Sequence, residues 1–198
     1  MSTLAQSILT SAQGLPEGGV VAPREFLHLA SRVAVDQALT RLTREGKLMR
    51  VGRGTYVVPV SGRFGVRPPA SAKVVESMAK KAGEIVAPHG AAAANALGLT
   101  TQVPVKEVFV TSGRSRTLQF GSRVVEIRHV PGWQLALGSG PAGAAIRALS
   151  WLGPEHAKES VARIKSRLPV SEWEAIAAAR AVLPSWMAKA VSESLLYA

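Results

Sequence analysis

The chain has 198 residues, 47% of them hydrophobic and 19% charged, which is typical of a folded globular protein and argues against a disordered one. It contains no cysteine, which excludes disulfides and cysteine-ligated zinc, and no apolar run approaches the roughly 18–20 residues that span a bilayer. We therefore expect a cytoplasmic protein without a membrane span or secretory signal, and the net charge of +11 favours a polyanionic partner such as nucleic acid.

The first 62 residues have the pattern of a small helical domain that ends in a β-hairpin. Apolar residues recur at helical spacing, and proline, serine and glycine stand where helices begin and end. The predicted elements are a helix before Gly14, a short strand at Val20-Val21, a second helix from Pro23, a third helix from Ser31 to Gly46, and a hairpin around Gly52-Arg53-Gly54.

A proline- and glycine-rich basic stretch at residues 59–69 follows this hairpin. Pro68 and Pro69 cannot donate backbone hydrogen bonds, and each disfavours helix in the residue before it. The sequence therefore predicts a winged helix-turn-helix DNA-binding domain over residues 1–62, a linker over residues 63–72 and a second domain over residues 73–198.

The second half alternates between helical and β-prone segments. Helices are predicted over residues 73–83 and 89–97, with a short strand at 85–87 between them. Three strands at 106–111, 117–120 and 123–130 form a predicted antiparallel meander, and only helices follow from Ala142. The predicted fold class is α+β: an N-terminal winged helix-turn-helix domain plus a C-terminal mixed domain with a small antiparallel sheet and C-terminal helices.

The third helix and the hairpin carry the residues that suit DNA recognition. The helix buries a single apolar stripe, which leaves a basic outer face, and Arg and Gln are the residue types that pair bidentately with guanine and adenine edges. Glycines let the hairpin turn tightly, so Arg53 at its tip can reach a phosphate or the minor groove. The predicted DNA-binding residues are Arg32, Gln37, Thr40, Arg41, Arg44, Arg50 and Arg53. A solvated basic face, or a winged helix used for protein contacts, remains the alternative.

A second candidate basic surface lies on the predicted meander, formed by Arg114, Arg116, Arg123 and Arg128. Nucleic-acid binding is one interpretation of this cluster of arginines. The alternative, that these arginines form a basic face which only contacts solvent, is favoured because charge is the only evidence for binding.

No catalytic constellation is present, so we expect the protein not to be an enzyme. The four histidines lack ligand-pair spacing, and Asp36 is the sole aspartate, so neither a metal site nor paired-aspartate catalysis is expected. Residues 138–143 formally read G-x-G-x-x-G before a helix. Because Pro141 deletes one amide and no βαβ unit surrounds the motif, a helix-starting turn is favoured and no cofactor is expected.

Two sets of segments resemble the AbiEi family of type IV antitoxins. Residues 38–42 (ALTRL), 45–48 (EGKL) and 51–57 (VGRGTYV) resemble the winged-helix start of that family. Residues 88–99 (PHGAAAANALGL), 100–104 (TTQVP) and 111–118 (TSGRSRTL) look like its antitoxin domain. The resemblance covers roughly residues 1–150, and its second part is the more specific.

The resemblance implies a bifunctional antitoxin involved in phage defence. Such a protein represses its own promoter by binding inverted repeats in double-stranded DNA, as a monomer or a weak dimer that cooperates on DNA. It also neutralises a cognate nucleotidyltransferase toxin without forming a stable complex with it. DNA recognition would fall on the residues already named, whereas antitoxicity cannot be assigned to particular residues. The alternative is a winged-helix transcription regulator whose C-terminal domain binds a ligand or dimerises.

Overall fold

The computed structural model describes residues 3–63 and 65–196, which form an α+β fold. The helices are α1 (Leu4–Gln13), α2 (Arg32–Arg44), α3 (Ser71–Ala82), α4 (Gly90–Ala96), α5 (Pro141–Leu152), α6 (Ala157–Lys165), α7 (Val170–Ala178) and α8 (Ser185–Leu196). The strands are β1 (Val20–Val21), β2 (Met49–Gly52), β3 (Thr55–Val57), β4 (Val60–Gly62), β5 (Gly65–Arg67), β6 (Val86–Pro88), β7 (Glu107–Thr111), β8 (Arg116–Phe120) and β9 (Arg123–His129).

The chain divides into two compact units, each of which consists of two separate segments of the sequence. The first comprises Met1–Gly83 and Thr117–Val125, and the second comprises Glu84–Arg116 and Glu126–Ala198. Residues 63–72, predicted as a linker, therefore lie inside the first unit, and so does a segment from the second half of the chain. The assignment of a DNA-binding domain to residues 1–62 and an antitoxin domain to 73–198 stays a prediction.

In the first unit, α1 and α2 pack beside a small antiparallel sheet of order β1-β3-β2. Val57 of β3 lies opposite Val20 of β1 and Met49 of β2, so β3 is central. Apolar residues at helical spacing on both helices give this unit a continuous core. Its largest fully buried members are Ile8, Leu39 and Leu48.

The helix predicted from Pro23 is wrong in extent, because only a 3-10 turn forms at Pro23–Phe26. Phe26 is buried, but Leu27 and Leu29 are about half exposed, so no continuous apolar stripe is available to hold a longer helix against the core. The predicted helices before Gly14 and after Ser31, the strand at Val20–Val21 and the hairpin at 49–57 are confirmed.

Two elements follow the hairpin within the first unit. Strands β4 and β5 pair with each other, with Val60 opposite Arg67, and α3 then contacts β1. Ser77 on α3 accepts a hydrogen bond from the Val20 amide at 3.3 Å, and Lys73 pairs with Glu17. Gly18, at φ 83°, lies so close to α3 that an added Cβ would fall 2.5 Å from the Cβ of Lys73.

The predicted meander is wrong, because the four-stranded sheet has the order β6-β7-β9-β8. Strands β6 and β7 are antiparallel, with Val86 opposite Thr111. β7 and β9 run in the same direction, since the Val130 amide donates to the Thr111 carbonyl while Lys106 lies 3.4 Å from Glu126. The physical reason is that the alternation of residues along a strand does not specify its neighbour in the sheet, and packing places β9 rather than β8 next to β7.

The helices of the second unit enclose its main core. Gly90 at the start of α4 lies against the backbone of α5, and an added Cβ there would fall 2.2 Å from the Arg147 carbonyl oxygen. The core residues include Ile146 and Leu149 of α5, Ile164 of α6, Ile176 of α7 and Met187 of α8. None of the helices in the described part of the chain is long and apolar enough to cross a membrane.

A candidate nucleic-acid interface

Helix α2 is oriented by a cap at one end and an apolar stripe along one side. The Ser31 hydroxyl accepts a hydrogen bond from the Ala34 amide at 3.3 Å, which satisfies one of the free amides of the first turn. The buried residues are Val35, Ala38, Leu39 and Leu42. Because this stripe packs on the core, the opposite face of the helix is directed to solvent.

All five predicted residues of α2 are exposed, namely Arg32, Gln37, Thr40, Arg41 and Arg44. At about 100° per residue, Gln37, Thr40 and Arg44 lie opposite the buried stripe, with Arg41 at one side. Arg32 lies nearer the core, on the other side. The structure therefore brings four of the five to one face.

Intramolecular contacts distinguish these side chains from one another. Arg32 Nε is paired with Asp36 Oδ2 at 2.8 Å, and Thr40 Oγ1 donates to the Asp36 carbonyl at 2.8 Å. Arg41 lies 3.9 Å from Glu45, whose pKa is held below its usual range chiefly by a hydrogen bond from Lys47. Gln37 and Arg44 have no ion pair or side-chain hydrogen bond with any described residue, so their donors are available to a ligand.

One further residue of this face, Val33, is not among the predicted DNA-binding residues. Val33 is 66% exposed and lies one turn before Gln37, on the same side of α2. An exposed apolar side chain beside polar groups suits the thymine methyl in the major groove. Its position on the outer face was visible in the helical spacing, whereas its large exposure required the packed structure.

The hairpin of β2 and β3 places two more arginines at the surface. Gly54 has φ 66°, a left-handed conformation that favours glycine, and it allows the tight turn that leaves Arg53 exposed. A register shift between Arg50 and Gly52 marks a bulge in β2. Arg50 is also exposed, and its Nε donates to the Gly52 carbonyl at 3.3 Å, so its side chain lies along the strand.

The four arginines of the second candidate surface are not equivalent. Arg116 binds both carboxylate oxygens of Glu84, at 3.0 and 2.7 Å, and this hydrogen bonding lowers the pKa of Glu84. Arg128 is paired with Glu126 at 2.5 Å. Arg114 is exposed in the loop between β7 and β8, and Arg123 belongs to the first unit. Two of the four charges are thus balanced locally, which reduces the field of this set.

The glycine-rich turn at residues 138–143 has a structural role. An added Cβ at Gly143 would fall 2.1 Å from the Gly138 carbonyl oxygen, so the close approach of the turn to α5 requires glycine. The Ala142 amide in the first turn of α5 donates to Glu172 Oε2 at 2.8 Å. A carboxylate from α7 therefore occupies the helix start, where a phosphate-binding turn would present its amides.

Comparison with protein families matches residues 7–174 to a family of unknown function, DUF6088. No curated protein and no solved structure matches the chain. The family match covers well over half of the sequence and includes α2, its hairpin and the four-stranded sheet. The chain therefore belongs to DUF6088.

Proposed function

We propose that the protein binds double-stranded DNA through a winged helix-turn-helix in its first unit, with α2 as recognition helix and the β2–β3 hairpin as wing. The order helix, strand, short helical turn, helix and hairpin, with the sheet order β1-β3-β2, supports this assignment. The observation that carries the proposal is the outer face of α2, where Gln37 and Arg44 have no side-chain partner among the described residues. These are the side chains that read adenine and guanine in the major groove.

The charge of the neighbouring elements supports the same partner. Arg53 is exposed at the tip of the wing, and Arg50 lies at its base, where both suit phosphate contacts. Residues 32–67 contain eight basic and two acidic side chains, and the two acidic ones are each paired with an arginine of α2. Such a surface attracts DNA of any base sequence at moderate salt.

We further propose that this DNA binding serves autorepression by a type IV antitoxin, which neutralises a nucleotidyltransferase toxin without a stable complex. This step rests on the resemblance of residues 88–118 to AbiEi antitoxins, because the geometry of the second unit does not specify a toxin. The remaining candidate is a regulator whose second unit binds a ligand or dimerises.

The experiment is a titration of the full-length protein against its own upstream DNA and a scrambled duplex of equal length and composition. We expect Arg44→Ala to weaken binding to the native duplex by about 1–3 kcal/mol, because one bidentate base contact is lost, and to affect the scrambled duplex much less. Lys189→Ala is the matched control, since Lys189 is an exposed cation on α8 of the second unit. Equal and weak binding of the wild-type protein to both duplexes would contradict the proposal.

Antitoxin activity is tested separately by co-expression with a nucleotidyltransferase encoded beside the gene. When both are expressed from unrelated promoters, we expect wild-type protein and Arg44→Ala to restore growth equally, because DNA reading is not needed for neutralisation. Absence of rescue by a well-folded wild-type protein would favour the regulator alternative.

A further inference from the structure

A hairpin from the second half of the sequence belongs to the unit that holds the candidate recognition helix. Residues Thr117–Val125, which comprise most of β8 and the start of β9, are part of the first compact unit. Leu118 is only 2% exposed, and a Cβ added at Gly52 would fall 3.1 Å from its Cδ2. The hairpin therefore packs directly on the last residue of β2, next to the turn of the wing and in the same unit.

The packing leaves the polar side of this hairpin open. Leu118, Phe120 and Val125 are buried, whereas the alternate residues Thr117 and Gln119 are exposed. Thr117 and Gln119 line the same shallow depression as Arg50 and Gly52 of β2. The Gln119 amide donates to the Gly121 carbonyl at 2.8 Å, and Arg50 Nε donates to the Gly52 carbonyl at 3.3 Å. The Thr117 hydroxyl and the remaining N–H groups of Gln119 and Arg50 are donors that suit phosphate oxygens.

The turn of the hairpin shares one feature with the turn of the wing. Gly121 has φ 63°, close to the 66° of Gly54, so each glycine permits a tight turn, and the exposed Arg123 begins β9 two residues after Gly121. Arg123 has no ion pair with any described carboxylate, and it is the one charged residue within 117–125. Because no carboxylate neutralises this guanidinium locally, its positive charge and its N–H donors are available to an external anion.

We propose that the β8–β9 hairpin is a second wing, which contacts the DNA phosphate backbone beside the β2–β3 wing through Arg123. The inference rests on the proposed DNA binding of the first unit and adds a contact that lies outside residues 1–62. Because phosphate contacts do not depend on base sequence, the second wing contributes affinity and register rather than sequence discrimination. It also removes Arg123 from the basic surface assigned to the second unit.

The test compares Arg123→Ala with wild-type full-length protein in salt titrations on the native and scrambled duplexes. We expect about fivefold weaker binding to both duplexes near 0.1 M salt, and a log–log salt slope smaller by about 0.9, the value for one phosphate contact. Lys80→Ala is the matched control, because Lys80 is an exposed cation of the same unit on α3, and it should change neither quantity. Arg123→Glu should weaken binding further than Arg123→Ala.

The outcomes separate this inference from the proposed function. Unchanged affinity and slope for Arg123→Ala, in a protein that binds DNA and loses discrimination with Arg44→Ala, would overturn the second wing alone. An equal effect of Lys80→Ala would also overturn it, since the loss would then reflect total charge. Failure of the wild-type protein to bind any duplex would overturn both. Hydroxyl-radical footprints should lose protection at one flank with Arg123→Ala, and thermal unfolding should show that the variant is folded.

Discussion

Arg147 is a buried cation that pairs with no carboxylate among the described residues. Its side chain on α5 is 1% exposed, and it donates to the carbonyl oxygens of Pro88 at 3.0 Å and Gly138 at 2.7 Å. Burial lowers its pKa to about 10, so the guanidinium remains charged at neutral pH. Arg147 thus joins the end of β6 and the turn before α5 to the helical core of the second unit.

Replacement of Arg147 by methionine tests this structural role. Methionine fills much of the volume but leaves the buried carbonyl oxygens without donors, so we expect a loss of about 3 kcal/mol in the free energy of unfolding. Arg128→Met is the control, because Arg128 is exposed and its ion pair with Glu126 is solvated, and it should cost less than about 1 kcal/mol. Urea unfolding measures both, and equal losses would contradict the assignment.

His89 connects stability to pH through a helix cap. Its Nδ1 accepts a hydrogen bond from the Ala91 amide at 3.2 Å, so the neutral ring caps α4. Burial, and to a smaller extent the charge of Arg128, lower the pKa of His89 below the ordinary value of 6.5. The unfolded chain therefore binds the proton more readily, and stability should fall as the pH drops below about 6.5 toward the lowered value.

His89→Asn separates this contribution from those of the carboxylates. Asparagine caps helices well and does not titrate, so we expect the loss of stability between pH 7.5 and pH 5.5 to be smaller in the variant than in the wild-type protein. The pKa values of Glu84 and Glu126 are lowered from the ordinary 4.5, so these carboxylates affect stability mainly below pH 4.5, outside this interval. Parallel pH profiles for the two proteins would contradict a neutral His89 cap.

At the scale of elements, the approach of α4 to α5 is set by glycine. A Cβ at Gly90 would fall 2.2 Å from the Arg147 carbonyl oxygen and 2.8 Å from Trp151 Cβ. Neither atom can move away through a side-chain rotation, so the helices would have to shift apart. We expect Gly90→Ala to destabilise the protein by about 2 kcal/mol, although alanine is the better helix former by about 1 kcal/mol. Gly132→Ala, where nothing lies within 4 Å, should be nearly neutral in thermal unfolding. A stabilised Gly90→Ala variant would contradict this packing.

The order of the strands shows where local patterns stop being informative. Alternating and β-branched residues predicted β7, β8 and β9 close to their observed bounds. The pairing of β7 with β9 instead depends on contacts such as Val130 with Thr111, which a period of two residues does not encode. The same limit explains the pairing of β4 with β5, because β5 lies within residues 63–72, which a proline- and glycine-rich composition predicted as linker.

At the scale of the whole molecule, the β2–β3 hairpin is supported by residues far along the chain. A fragment that ends at Gly83 lacks Thr117–Val125, so Leu118 no longer covers Gly52. We expect backbone amides of β2 and β3 to exchange with solvent faster in this fragment than in the full chain, because the β2–β3 hairpin loses its packing partner. Amides of α1 and α2 should stay protected by their own core. Identical protection of β2 and β3 in the fragment and in the full chain would contradict support by the β8–β9 hairpin.

The sequence by itself determined the α+β class, most helices and strands, and the exposed basic face of α2. These features follow from short-range physics: the Ser31 cap, the apolar stripe and the glycine turns act within a few residues. It also predicted seven candidate DNA-binding residues, all of which lie at the surface.

The tertiary structure decided which of those charges are free and which hairpins lie beside them. Arg116 is paired with Glu84 across 32 positions of sequence, and Leu118 reaches Gly52 across a still longer separation. Such contacts are selected by packing and electrostatics between distant segments, which no local pattern records. The strand order β6-β7-β9-β8 and the place of residues 117–125 in the first unit likewise result from contacts between distant segments.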